Sequence, residues 1–301
     1  MLRMGSSGRS GMHNRKQLVS FFGIGAPKSG TSWLARCLDE HPELSIPVKE
    51  THFFSRDTEY ERGLPHFEAQ LVDADPAAKH VGEFSPNYLS HPSSYARVQQ
   101  YAPDALLLVA FRNPIDRAFS HYLHEVRAGQ ATLEEGFANA AKRRHEYLHH
   151  GFYGKHLSRW LEHFDATQFH TEFYENIGTA PTEVLRRAYS FLDVDAEFEP
   201  PSLKAQVNRT RVPRNQVVER IFDGARATLG HPSLRRPRSF LKNLGVAQWV
   251  RSINTQPSEQ PTLAIADREW LRGVFSSDVV RLESILGKTV PWSDFHPTSP
   301  S

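Results

Sequence analysis

Two rhythms of apolar residues alternate along the chain. Largely apolar runs occupy residues 18–25 and 105–111, as expected of strands covered on both faces of a parallel sheet. Shorter runs at 44–46, 80–83 and 168–173 read as further strands. Between them the spacing becomes helical. Trp33, Leu34, Cys37 and Leu38 share one face of a helix that begins at about Thr31 and stops near His41-Pro42, because proline disfavours helix in the residue before it. Ile115, Ala118, Phe119, Tyr122 and Leu123 form a second stripe. Asn113 is a good N-cap for it and Pro114 suits its first helical position. Tyr153, Leu157, Trp160, Leu161 and Phe164 form a third stripe, and residues 181–192 and 266–286 read as further helices. Strands alternating with helices in this order define an α/β fold, a three-layer sandwich whose central, mainly parallel sheet is flanked by helices.

Composition narrows the reading. The 301 residues fit one domain over 17–301, with hydrophobic residues at 39%. Lys plus Arg number 36 against 34 Asp plus Glu, a net charge of +2, so bulk charge gives no case for a nucleic-acid partner. No apolar run is long enough for a membrane span. Residues 1–16 are small, polar and basic, without the apolar core of a secretory signal; we read them as a disordered tail. Cys37 is the only cysteine, so no intramolecular disulfide forms, and a cytoplasmic location is expected. Histidines are many but scattered, and no metal site is expected. Residues 230–262 gather proline, serine and arginine and read as a mobile insertion.

The chemistry concentrates where strand gives way to helix. Gly25-Ala26-Pro27-Lys28-Ser29-Gly30-Thr31-Ser32-Trp33 joins the first strand to the first helix. Such a loop aims backbone N–H groups and the positive end of the helix dipole at one spot. Its glycines allow close approach, Lys28 adds charge, and Ser29, Thr31 and Ser32 add hydroxyls. An ordinary ATP-type loop places lysine directly after the second glycine; here Thr31 stands there and the lysine lies inside the loop. The segment resembles the 5′-phosphosulfate loop of sulfotransferases that use 3′-phosphoadenosine 5′-phosphosulfate (PAPS). That resemblance implies a P-loop-like fold and donor contacts from Lys28, Ser29, Gly30, Thr31, Ser32 and Trp33. It also implies adenosine 3′,5′-bisphosphate as the product nucleotide.

Further along, Phe111-Arg112-Asn113-Pro114-Ile115-Asp116-Arg117-Ala118-Phe119-Ser120-His121-Tyr122 resembles the 3′-phosphate motif of the same family, with Arg112 and Ser120 as the gripping pair. Arginine offers phosphate a forked donor and serine a short neutral one. Residues 207–214 resemble the family's late basic loop, which implies nucleotide contacts from Arg209, Thr210 and Arg211.

Lys49-Glu50-Thr51-His52-Phe53-Phe54 resembles the segment that carries the catalytic glutamate in heparan-sulfate-type and related bacterial sulfotransferases. The resemblance makes Glu50 the general base, with His52 as the other candidate and Lys28 following charge onto the leaving oxygen. The plain alternative is that Glu50 pairs with Lys49 or Arg56. Gly82-Glu83-Phe84-Ser85-Pro86-Asn87-Tyr88 resembles an acceptor-side segment of the family, in which Phe84 stands at a lysine position. Glu50, His52, Glu83 and Phe84 are thus expected around the acceptor, and the phenylalanine suggests a neutral or partly apolar one. The function expected is transfer of the sulfuryl group to a hydroxyl of a carbohydrate or small-molecule acceptor. A catalytically silent nucleotide-binding protein and an ATP-dependent kinase are the competing readings.

Overall fold

The computed structural model describes residues 18–204 and 261–296. The tail at 1–16, Arg209, Thr210 and Arg211, and all but the last two residues of the 230–262 insertion lie outside them. Five strands are seen: β1 (Phe21–Gly25), β2 (Leu44–Ser45), β3 (His80–Phe84), β4 (Leu106–Phe111) and β5 (Phe169–Phe173). Each pairs in parallel with its neighbours, in the order β2-β3-β1-β4-β5. β1 is therefore central, and the chain crosses from one side of it to the other between β3 and β4. In open parallel sheets the carboxyl ends of the strands at such a switch are where ligands bind.

Eleven α-helices lie among the described residues: α1 (Thr31–Asp39), α2 (Asp57–Tyr60), α3 (Leu64–Ala69), α4 (Ser94–Tyr101), α5 (Pro114–Arg127), α6 (Phe137–Arg143), α7 (Glu146–His149), α8 (Tyr153–Leu161), α9 (Tyr174–Thr179), α10 (Pro181–Phe191) and α11 (Ile265–Leu286). No described helix is long and apolar enough to cross a membrane. The described residues pack as two compact units. The first comprises residues 18–112, 153–204 and 281–291; the second comprises residues 113–152, 261–280 and 292–296.

The first unit holds the whole sheet. All five residues of β1 are buried, as a central parallel strand requires. Its register against β3 is set by size. Phe21 pairs with Gly82 and Gly23 pairs with Phe84. A Cβ added to Gly82 would lie 2.1 Å from the Phe21 ring, and one on Gly23 would lie 2.0 Å from the Phe84 ring. Each phenylalanine thus occupies the space that the opposite glycine leaves, and the two rings meet edge to face at 6.3 Å. A shift of two residues would set ring against ring in one direction and glycine against glycine in the other. A shift of one would put the two rings on opposite faces of the sheet. Cys37 is buried on α1, and burial pushes its thiol up to about 12.

The second unit is built on α5. Asn113 caps it, its Oδ1 accepting from the Ile115 N–H at 3.0 Å, with Pro114 in the first turn. Arg117 is fully buried and donates to the Tyr147 carbonyl. Phe119, Tyr122, Phe137 and Tyr147 pack as a ring cluster with centroids 5.8–6.3 Å apart. Ser120 is half-buried on the same helix. Arg268 of α11 joins the side chains of Asp116 and Asp294.

Candidate active site

The loop after β1 turns through two left-handed residues, Lys28 at φ 68° and Gly30 at φ 84°. Gly30 is the N-cap of α1 and no side chain caps that helix; the Trp33 N–H turns back to the Gly30 carbonyl at 3.0 Å, which leaves the Thr31 and Ser32 N–H groups at the helix start without intrahelical acceptors. At Gly30 a side chain is excluded twice, by the backbone angle and by crowding. A Cβ there would lie 2.7 Å from Ile177 and 3.0 Å from Tyr174. Ser29 is completely buried and its Oγ has no hydrogen-bond partner. A buried polar atom without a partner is costly. The open helix start, this hydroxyl and the Lys28 charge fit a phosphate-like anion by their chemistry.

Arg112 follows β4. Its guanidinium donates to the Lys28 carbonyl at 3.2 Å and lies 4.5 Å over the Tyr174 ring. The Tyr153 hydroxyl holds the Arg112 carbonyl at 2.9 Å. The two nucleotide motifs, 84 residues apart, are therefore bonded to each other within the first unit. Tyr174 went unread in the sequence, although an aromatic residue directly after a buried strand was a usable signal. Ser120 belongs to the second unit, and its pairing with Arg112 is carried by the sequence motif alone.

The segment at residues 49–54 runs beside the carboxyl end of β3. Lys49 bridges to Phe84, and the Glu50 N–H donates to the Phe84 carbonyl at 2.7 Å. Glu50 (φ 64°) and His52 (φ 54°) both hold left-handed backbone angles, which non-glycine residues adopt only where surrounding bonds enforce them. Glu83 supplies those bonds. Its Oε1 accepts from the Thr51 N–H at 3.1 Å, the Thr51 hydroxyl at 3.0 Å and the Ser85 hydroxyl at 2.6 Å. Ser85 in turn accepts from the His52 N–H at 2.9 Å, and the Tyr88 hydroxyl accepts from the Phe54 N–H at 3.3 Å. Glu83 is fully buried, its Oε2 has no partner, and burial pushes its carboxyl up to about 7.

Glu50 itself stays accessible, its side chain 40% exposed, with Oε1 2.8 Å from Lys49 Nζ and Oε2 3.7 Å from His52 Nε2. Burial, with help from Arg56, holds His52 below its usual range. Lys49 Nζ also donates to Ser32 Oγ at 2.7 Å, which ties this segment to the first turn of α1.

Three expected contacts change character. Phe84 is 0% exposed and packed over Gly23. It has no surface to offer an acceptor, and the argument for a neutral acceptor drawn from it falls away. Glu83 is equally buried and acts through Thr51 and Ser85 rather than on an acceptor. Trp33 is 6% exposed, which makes its indole part of the packing of α1 rather than an open face for a ligand. Lys49, read in the sequence only as a salt-bridge partner for Glu50, proves to join both halves of the site.

An uncapped helix start, a buried unpaired hydroxyl and an anchored arginine at the switch point of a 2-3-1-4-5 parallel sheet define a P-loop-like anion-binding protein. The sulfotransferase domain family matches residues 20–219, and the chain belongs to that family. Among curated relatives, mouse heparan sulfate glucosamine 3-O-sulfotransferase 3B1 is 29% identical over 184 residues, covering 59% of this chain and 46% of that protein. The bifunctional heparan sulfate N-deacetylase/N-sulfotransferase 1 of Caenorhabditis elegans is 26% identical over 246 residues, covering 76% of this chain and 28% of that one. The chain thus spans about half or less of these relatives' length. A sulfotransferase from Alicyclobacillus acidocaldarius has a similar structure, with TM-score 0.65 and 26% identity over 90% of this chain and 97% of that one.

Proposed function

We propose that this chain moves the sulfuryl group of PAPS to a hydroxyl of a carbohydrate or small-molecule acceptor. The observation that supports it most is the bond from Arg112 to the Lys28 carbonyl, which holds the arginine assigned to the 3′-phosphate against the loop assigned to the phosphosulfate. The donor supplies an activated sulfuryl group on a bridging phosphate oxygen. The α1 N–H groups, Ser29 and Lys28 hold that phosphate end, and Lys28 follows the charge left on the bridging oxygen. Arg112 takes the 3′-phosphate, with Ser120 assigned to it on the sequence motif. Glu50 removes the acceptor proton; it is exposed to incoming ligand, and a carboxylate within about 3 Å of the hydroxyl suffices for the transfer. Burial weakens the His52 imidazole as a proton acceptor, which suits it to orient Glu50 or the hydroxyl.

The test is thermal unfolding with adenosine 3′,5′-bisphosphate or with ATP and magnesium. A ligand that binds only the folded chain stabilises it by about 2.7 kcal/mol at a hundred times its Kd. The bisphosphate is expected to raise Tm, and stabilisation by ATP but not by the bisphosphate overturns the reading. Binding without any release of sulfate to any acceptor is the result that favours a silent nucleotide-binding protein instead.

A further inference from the structure

Lys49 is an exposed cation that touches both sides of the site. Its ammonium donates to Ser32 Oγ at 2.7 Å and lies 2.8 Å from Glu50 Oε1. Ser32 is in the first turn of α1, whose N-terminus carries no capping side chain. The positive end of a helix dipole disfavours a cation beside it, so electrostatics alone would send a lysine elsewhere. Glu50 offsets this charge from one side only. A nearby atom makes the same demand independently: Ser29 Oγ, wholly buried in the loop before α1, has no partner. An ammonium has three donors. Ser32 and Glu50 take two, leaving one to point at an anion between them.

We propose that Lys49 is a further catalytic residue, a cation that binds the sulfuryl oxygens of the donor while holding Glu50 against the acceptor. The inference rests on the PAPS reading of the same site and adds a residue to it. In the transfer, a bond forms between sulfur and the acceptor oxygen as the bond to the bridging phosphate oxygen breaks. The electron pair of the broken bond stays on the phosphate, and the acceptor proton goes to Glu50. Lys49 takes no part in the proton transfer; it neutralises charge on the three oxygens that travel with sulfur. Lys28 serves the phosphate that remains, so the two lysines divide the donor between its leaving and its transferred parts.

This division makes a measurable distinction, because adenosine 3′,5′-bisphosphate lacks the sulfuryl group and PAPS carries it. Titration calorimetry of the wild-type chain and of Lys49→Met, with both nucleotides, reads it directly. PAPS affinity is expected to fall about tenfold in Lys49→Met, the equivalent of one lost charge-assisted contact. Affinity for the bisphosphate is expected to stay within about twofold, since that ligand makes no contact with Lys49. Lys49→Arg, which keeps the charge, should recover part of the PAPS affinity and confirms that the fold survives at this exposed position. Unchanged PAPS affinity in Lys49→Met overturns the proposal, and so does an equal loss for both nucleotides, which would make Lys49 a brace for the loop. If the wild-type chain binds neither nucleotide, the PAPS reading itself is what fails.

Discussion

Glu83 places three donors on one carboxylate oxygen and none on the other, beneath the two strained residues that carry the proposed base. Its raised value has a definite sign for stability. The folded chain keeps this proton up to about 7, whereas the carboxyl ordinarily gives it up near 4.5. The folded state therefore binds more protons than the unfolded one across that window, and stability falls as pH rises through it. Glu83→Gln, which keeps an acceptor for Thr51 and Ser85, should flatten that slope in denaturant titrations run at several pH values. Glu83→Ala strands three buried donors and should cost about 1–3 kcal/mol or more. A pH slope identical to wild type in Glu83→Gln would show that another group carries it. Glu50 calls for the opposite behaviour: Glu50→Gln should bind nucleotide normally and lose transfer by about 100- to 10,000-fold, and full activity in that variant removes it as the base. At this scale the sequence was legible for residue type but not for direction. Glu83 and Phe84 are adjacent in one strand, so they face opposite ways, and periodicity alone does not say whether either face meets solvent. Both turned out buried, and the contact from Lys49 to Ser32 joins segments whose proximity only the sheet order creates.

The elements that position the site depend on the reciprocal fit of Phe21 with Gly82 and Phe84 with Gly23. β3 carries Glu83 and the segment that pairs with Glu50, while β1 carries the phosphate loop, so this register sets where the two halves of the site stand. Gly82→Ala forces a Cβ to within 2.1 Å of the Phe21 ring and should destabilise by about 1–3 kcal/mol through overpacking. Adding Phe21→Leu in the same chain should return part of that loss, and strict additivity of the two changes in Tm would contradict the proposed fit. Elements with a strong period were readable. All five strands fall inside or within one residue of the expected runs, the helices after β1 and after β4 stand where their apolar stripes put them, and the last helix begins one residue before the expected 266–286. The misses are short: α2, α3, α6, α7 and α9 have four to seven residues, too few for a helical period to repeat. α4 has eight, and only Ser94, Val98 and Tyr101 are buried on it, so no apolar stripe marks it.

For the molecule as a whole, the α/β class and parallel sheet followed from the alternation of runs, since a strand apolar throughout must be covered on both faces. The division into two compact units did not. It falls between Arg112 and Asn113, in the middle of a continuous motif with no linker composition to mark it. The fold therefore separates residues that the sequence reads as one signature, with Arg112 in the unit that holds the sheet and Ser120 in the other.

The bond from Arg112 to the Lys28 carbonyl, with Tyr153 and Tyr174 fixing the arginine from two sides, belongs to the protein's own architecture. Its consequence is thermodynamic. The conformational entropy of arranging this end of the cradle is lost on folding, once, and is not charged again to each catalytic cycle. A nucleotide meeting such a surface has little protein to organise, so its association should lack the heat-capacity signature of coupled folding, which corresponds to burying about 1,000–3,000 Å². The same economy applies in reverse. A product leaving this contact has no rearrangement of Arg112, Lys28 or Tyr174 to undo, which favours turnover over retention at this end of the site.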